Sequence, residues 1–186
     1  MKYFPTLLTN RLVFSGLVFL VVISCRTIPT TVYQDKGLNF KITEEFKIVK
    51  TETWKHNDAT YIKIERRNDN LYANFSVTWL PKNFDLDKEL RVFEEILKEM
   101  YEREDTQKIP VFGEVKSIKF ASNEARQIDY IVANDGPRLG SYTAFHCDSL
   151  TVIIGQHYTP ESQVMTDRCR QMIEETYSCI GQGTAR

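Results

Sequence analysis

From Leu71 to Trp79 the chain alternates, with Leu71, Ala73, Phe75, Val77 and Trp79 on one face and polar or small residues between most of them. A period of two is the signature of a strand with one buried side, because successive side chains of an extended chain point to opposite faces. Thr60 to Arg66 repeats the pattern with Ile62 and Ile64, and the polar stretch Arg67-Asn68-Asp69-Asn70 between the two runs predicts a hairpin. Such a ribbon must bury its apolar face against another layer, so the rest of the chain has to supply strands and a cover. Phe40-Lys41-Ile42 and Phe46-Lys47-Ile48 alternate in the same way. Glu114 to Phe120, Ala125 to Ala133, Gly140 to Cys147 and Leu150 to His157 add four strands, the last two forming a hairpin about Asp148-Ser149.

Two segments switch to helical spacing. Leu86, Leu90, Phe93, Leu97 and Met100 follow Asp85, a good amino-terminal cap. The other face of this helix carries Asp87 with Arg91, Glu94 with Lys98 and Glu99 with Arg103. Opposite charges four residues apart support a solvated helix by a few tenths of a kcal/mol each. Interleaved in this way, they describe a wet face rather than an acidic docking strip. Thr159-Pro160 opens a second helix, with Met165, Cys169, Met172, Ile173 and Ile180 as its apolar stripe. The order of strands, helix, strands and helix predicts one α+β domain over residues 37–180, followed by a short flexible tail, 181–186.

The amino-terminal segment has a different character. Lys2 and Arg11 precede the uncharged run Leu12 to Ile23, whose 12 residues would rise only about 18 Å as a helix against a hydrocarbon core of roughly 30 Å. A basic start, an apolar middle and a small residue before a cut describe an export signal over residues 1–24. Val22-Ile23-Ser24-Cys25 resembles the lipobox of bacterial lipoproteins, with isoleucine at the position where that family prefers a small residue. The resemblance implies cleavage after Ser24 and a lipid anchor, diacylglycerol and a further acyl chain such as palmitate, on Cys25. The alternatives are an ordinary secretory signal and an uncleaved anchor. Residues 25–36, with Pro29 among them, then read as the lipidated cysteine and a tether. Arg26 after Cys25, where aspartate would retain a lipoprotein at the inner membrane, favours the outer membrane facing the periplasm.

Loss of Lys2 and Arg11 with the leader takes the formal charge from −1 to −3. That balance offers no electrostatic case for nucleic acid as a partner. The expected partners are the membrane, through Cys25, and an unidentified protein.

Between Gly37 and Ile180 the element order resembles the PsbP-like fold, named after an extrinsic subunit of the photosynthetic oxygen-evolving complex and shared by small bacterial lipoproteins. Gly37-Leu38-Asn39-Phe40-Lys41-Ile42 and Phe46-Lys47-Ile48 carry the resemblance, with the strand pair, the helix from Asp85, four more strands and the closing helix. Thr43-Glu44-Glu45-Phe46 stands where that family often has proline and tryptophan. The resemblance implies a central antiparallel sheet sandwiched between helices. It also implies a binding or assembly role, because the family shares no catalytic constellation.

With Cys25 lipidated, Cys147, Cys169 and Cys179 remain in a compartment that permits disulfides. Cys169 and Cys179, placed on one helix, stand too far apart to pair with each other. Cys147 can bridge to Cys169 or to Cys179, or all three can remain buried thiols.

The hairpin about Asp148-Ser149 sets His146 opposite Thr151 and His157 opposite Gly140, roughly 20 Å apart along the strands. Cys147 points to the other face, so no zinc set converges and neither metal nor cofactor is expected. His56 falls in a polar turn. No GxSxG, HExxH, CxxC or GxxxxGK motif is present, and no catalytic residue is assigned. Glu65 and Asp129 are the sort of carboxylates a fold could bring together, and Ser141 after Gly140 lacks a nucleophile-elbow context. Asn74-Phe75-Ser76 is a glycosylation sequon without meaning in a bacterial lipoprotein.

Three readings of function follow. The first is a lipid-anchored binding or assembly module without catalysis. The second is a carrier or sensor of a small or lipidic ligand, drawing on Tyr61, Tyr72, Phe75, Trp79, Tyr130 and Tyr142. The third is an enzyme with an unrecognised site.

Overall fold

The strand runs assemble into two antiparallel sheets of different size. The computed structural model describes residues 29–35, 38–55, 58–66, 72–103, 109–133 and 136–179. The leader and lipobox, His56, the turn Arg67-Asn68-Asp69-Asn70 with Leu71, and the chain from Ile180 onward lie outside these residues.

The larger sheet has eight strands: β3 (Phe46–Thr53), β4 (Thr60–Arg66), β5 (Ala73–Leu80), β6 (Val111–Phe112), β7 (Lys116–Phe120), β8 (Asn123–Val132), β9 (Arg138–Cys147) and β10 (Leu150–Tyr158). Their spatial order is β3-β4-β5-β10-β9-β8-β6, and β7 also pairs with β8. The smaller sheet joins β1 (Thr30–Asp35), β2 (Leu38–Thr43) and β11 (Ser178–Cys179) in the order β1-β2-β11. Among the described residues two α-helices complete the domain, α1 (Leu86–Arg103) and α2 (Gln163–Thr176).

One face of the large sheet packs Ile62, Ile64, Phe75, Val77, Val152 and Ile154 against Phe40 and Ile42 of β2 and Cys169 and Ile173 of α2. The opposite face packs Ile128, Tyr130, Tyr142 and Ile153 beneath Leu90 and Leu97 of α1. Burying one such aliphatic side chain is worth about 1.5–3 kcal/mol. The sheet is therefore sandwiched, with a helix on each face and the small sheet sharing the α2 side.

Asp85 caps α1 as its position predicts, its Oδ1 accepting from the amides of Asp87 at 3.1 Å and Lys88 at 3.2 Å. The pairs Glu94–Lys98 and Glu99–Arg103 form at 2.6 and 3.0 Å. Asp87 and Arg91 do not pair with each other. Arg91 reaches Glu94 at 2.5 Å, and Asp87 turns to Arg126 of β8 at 3.2 Å.

Four further differences have local causes. Thr30–Asp35, placed in the tether by the sequence, is a strand fully paired with β2, because Tyr33 stacks on Phe40 with ring centroids 5.1 Å apart. The helix from Thr159-Pro160 begins as a 3-10 turn over Pro160–Ser162, without a side-chain cap hydrogen bond from Thr159. It ends at Thr176, where Tyr177 turns extended at φ −64° and ψ 131°. Ser178 and Cys179 then pair with Asn39 and Leu38, so Cys169 and Cys179 do not share a helix. The two-residue strand β6 is too short to show a period in the sequence.

Ala121 closes the β7–β8 hairpin at φ 53°, a left-handed conformation in which its Cβ crowds the backbone. Ala121→Gly should raise stability by about 0.5–1 kcal/mol despite glycine's larger entropy when unfolded. Urea denaturation checks this, and a lower midpoint would contradict it.

Candidate functional site

The paired turns at one end of the large sheet create an open cleft between its surface and the amino terminus of α1. The cleft occupies about 880 Å³ and is lined by Asp85, Asp87, Ser117, Arg126, Glu124 and His146, among others. Three segments meet there. The β7–β8 register sets Ser117 opposite Arg126 and Lys119 opposite Glu124. The β9–β10 register sets His146 opposite Thr151. Thr151 Oγ1 donates to the Lys82 carbonyl at 2.9 Å and accepts from the Phe84 amide at 2.8 Å, which ties the connection before α1 to the sheet.

Arg126 organises the cleft. Its Nε pairs with Asp87 at 3.2 Å and its Nη1 donates to Ser117 Oγ. His146 Nδ1 lies 3.4 Å from Thr151 Oγ1. The carboxylates of Asp85, Asp87 and Glu124 thus line the same depression as the cations of Lys119 and Arg126. Half-exposed partners of mixed sign suit recognition of a surface bearing charges of both signs, where exposed pairs steer and orient more than they bind. Sequence reading missed this cluster because Asp87, Ser117 and Arg126 belong to three elements. The hairpin spacing about Ala121-Ser122 was the one signal that could have joined the last two.

A second polar cluster lies under α1. Tyr130, Tyr142 and His157 pack with ring centroids 5.6 to 5.7 Å apart, and the Tyr130 hydroxyl is hydrogen-bonded to His157 Nδ1. A Cβ on Gly155 would fall 2.5 Å from Ser76 Oγ and 2.7 Å from the Tyr142 ring, so the bare backbone makes room for that ring. Burial lowers the His157 pKa from 6.5 to about 4, leaving the ring neutral near pH 7. It raises both tyrosines. A depressed histidine value stabilises the fold above the unfolded pKa, and that contribution is lost as pH falls through the folded one. Stability should therefore drop by roughly 2–3 kcal/mol between about pH 6.5 and 4 on account of His157. His157→Gln should flatten that part of the profile in denaturant titrations, and an unchanged slope would reject the assignment.

The other named residues fall apart in space. Glu65 lies on the α1 side, paired with Lys63 at 2.5 Å. Asp129 lies on the α2 side, paired with Lys116 at 2.5 Å and accepting from Gln127 at 2.6 Å. Three strands separate them, so they form no carboxylate pair. Ser141 is buried on β9, and its Oγ has no partner among the described residues. Asn74 donates to the Tyr72 hydroxyl at 2.8 Å. Phe75 and Trp79 are core side chains, Tyr61 stacks on Trp54 at 5.9 Å, and Tyr72 lies under Arg138 at 4.5 Å. His146 and His157 stand opposite Thr151 and Gly140, the register read from the hairpin. Among the described residues, no group of three His, Cys, Asp or Glu side chains converges as a metal site would require.

Cys147 and Cys179 form a disulfide with their Cα atoms 5.9 Å apart, inside the range such a bridge requires. It fastens β11 and the end of α2 to β9, where Tyr177 packs edge-on against Phe145 at 5.1 Å. Cys169 is a buried free thiol on α2, its pKa pushed up to about 12 by desolvation.

The same layers occur in known proteins. The solution structure of cyanobacterial PsbP (CyanoP) from Synechocystis sp. PCC 6803 matches 84% of this chain and 95% of that one, at TM-score 0.56 and 9% identity. The fold is PsbP-like. A second similar structure, at TM-score 0.52 and 13% identity, is LpqN of Mycobacterium tuberculosis, described as involved in cell envelope biogenesis. That match covers 82% of this chain and 91% of LpqN. No protein-family model and no curated protein matches the sequence. At these identities the PsbP-like likeness concerns architecture alone.

Proposed function

We propose that this chain is a lipid-anchored protein of the bacterial cell envelope whose PsbP-like domain works by binding another protein, without catalysis. The observation that carries the reading is the open cleft about Arg126, where Asp87, Ser117, Lys119, Glu124 and His146 present both signs of charge to solvent. Its groups are positioned by pairing with one another rather than aimed at one reacting point. The lipobox at Cys25 supports an envelope location, as does the architecture shared with LpqN, a protein described as involved in cell envelope biogenesis. Transfer to the outer membrane, facing the periplasm, follows from Arg26 after Cys25.

The carrier reading is weaker, because Phe75, Trp79, Tyr130 and Tyr142 are buried in the two cores and Tyr61 stacks on Trp54, which leaves only the exposed Tyr72, beneath Arg138, of the aromatic residues behind it. A photoreactive residue at Lys119 in the full chain, activated in intact cells, should give one reproducible protein adduct that Arg126→Glu abolishes. Equal labelling with and without Arg126 would overturn the assignment of the cleft. Mass analysis of the mature amino terminus tests the anchor separately.

A further inference from the structure

Among the described residues, the chain emerges at Pro29, whose carbonyl accepts from the Glu44 amide at 3.0 Å and is thereby pinned to the β2–β3 turn. The registers place the start of β3, Arg66, Ala73, Tyr158, Leu139 and Val132 at this same end of the sheet. The first turn of α2 lies there too, since the Thr159 amide donates to the Tyr72 carbonyl at 3.1 Å and Arg168 reaches Glu45 at 3.5 Å. So does the last turn of α1, which runs from Asp87 beside Arg126 toward Lys98 over Phe112.

This end is where apolar side chains are left outside. Of the ten large apolar side chains exposed among the described residues, six lie there: Tyr72, Met100, Ile109, Val111, Ile131 and Val164. Val111 and Val164 are 71% and 74% exposed, and Val111 stands opposite Ile131 across the β6–β8 pair. Three separate elements, the β6–β8 edge, the tip of α1 and the start of α2, contribute to the ring. Its charges are balanced rather than basic, with Arg66, Arg138 and Arg168 among Glu44, Glu45 and Glu161.

We infer that this end of the domain is a bilayer-contact surface, its apolar ring seated in the interfacial layer of the membrane. The inference rests on the lipid anchor proposed above. With Thr30–Asp35 held in a strand, only residues 26–28 separate Cys25 from Pro29, and those four Cα steps span at most about 14 Å. An acyl chain buried at Cys25 therefore holds this end, and no other, against the lipid headgroups. The far end of ten-residue strands such as β8 and β9 is roughly 30 Å away. A bilayer interface accepts exposed Val, Ile, Met and Tyr in place of water. With no net basic charge among the described residues at that end, the contact is apolar and insensitive to anionic lipid. The domain then stands upright, its cleft held away from the membrane at the opposite end.

The test uses the full chain processed in its own envelope and reconstituted in vesicles of phosphatidylcholine and phosphatidylethanolamine. A photoreactive phenylalanine analogue replaces Val164 or Val111, and in controls Ser122 at the far end or Val92, an equally apolar residue near the start of α1. Lipid adducts at Val164 and Val111 should exceed those at Ser122 and Val92 at least tenfold, and should persist from about 0.1 to about 1 M salt. Equal labelling at all four positions overturns the inference. So do adducts at Val164 and Val111 with another protein, or with a second copy, in place of lipid. An acylated Cys25 with no lipid adduct at Val164 removes the surface and keeps the anchor, whereas an unacylated Cys25 removes both.

Discussion

Reducing the bridge between Cys147 and Cys179 should destabilise the domain by about 4 kcal/mol. The two residues are 32 positions apart, and closing a loop of that size removes chain entropy from the unfolded state worth roughly 3.7 kcal/mol at 25 °C. The native side of the balance adds to this. β11 contributes only Ser178 and Cys179 to the small sheet, too few pairs to hold itself, and Tyr177 relies on that position to pack on Phe145 and Phe120. Urea denaturation with and without reductant measures the difference, and a Cys179→Ser chain should match the reduced protein. Coincident curves would show that the bridge is absent or without consequence. Counting thiols in the oxidised, denatured protein supplies an independent reading: beyond Cys25, one free thiol, Cys169, is expected.

Gly140→Ala should cost about 3 kcal/mol, at the upper end of what overpacking a well-filled interior brings. A Cβ on Gly140 would overlap the Tyr130 ring. That ring cannot swing aside, because Phe112 holds it at 5.0 Å on one side and Tyr142 and His157 hold it at 5.7 and 5.6 Å. The movement would also break the Tyr130 hydrogen bond to His157. Gly136→Ala provides the control, since nothing lies within 4 Å of a Cβ there. Thermal melts of the two variants should differ by several degrees. Equal melts would mean that the ring has freedom which its contacts deny.

The Cys147–Leu150 hairpin was legible in detail because a two-residue turn leaves only one register. His146 opposite Thr151 and His157 opposite Gly140 follow from counting outward from Asp148-Ser149. The first helix was legible because a 3.6-residue period over four turns, preceded by Asp85, has no competing extended solution. Less survived where the signal was short or the partner distant. Helical spacing pairs Asp87 with Arg91, yet Arg126 on a neighbouring strand offers a guanidinium already oriented by Ser117. Apolar spacing carries the second helix past Cys179, whereas the helix ends at Thr176, since the pairing of Ser178 with Asn39 depends on a strand over a hundred residues earlier.

The sequence by itself determined the elements and most of their faces: alternation selected strands and a 3.6-residue period selected helices, while the run ending at Cys25 is the local signal on which the proposed anchor rests. Each of these is a local property, encoded within one turn or one strand. Only the tertiary structure decided which strands are neighbours, which cysteine meets Cys147, and that Asp87, Ser117 and Arg126 share a cleft. It alone gathered Val111, Ile131, Met100 and Val164 at the end where Pro29 emerges. Those are relations between segments distant in sequence, selected by the joint burial of two sheet faces, and no single segment carries the information.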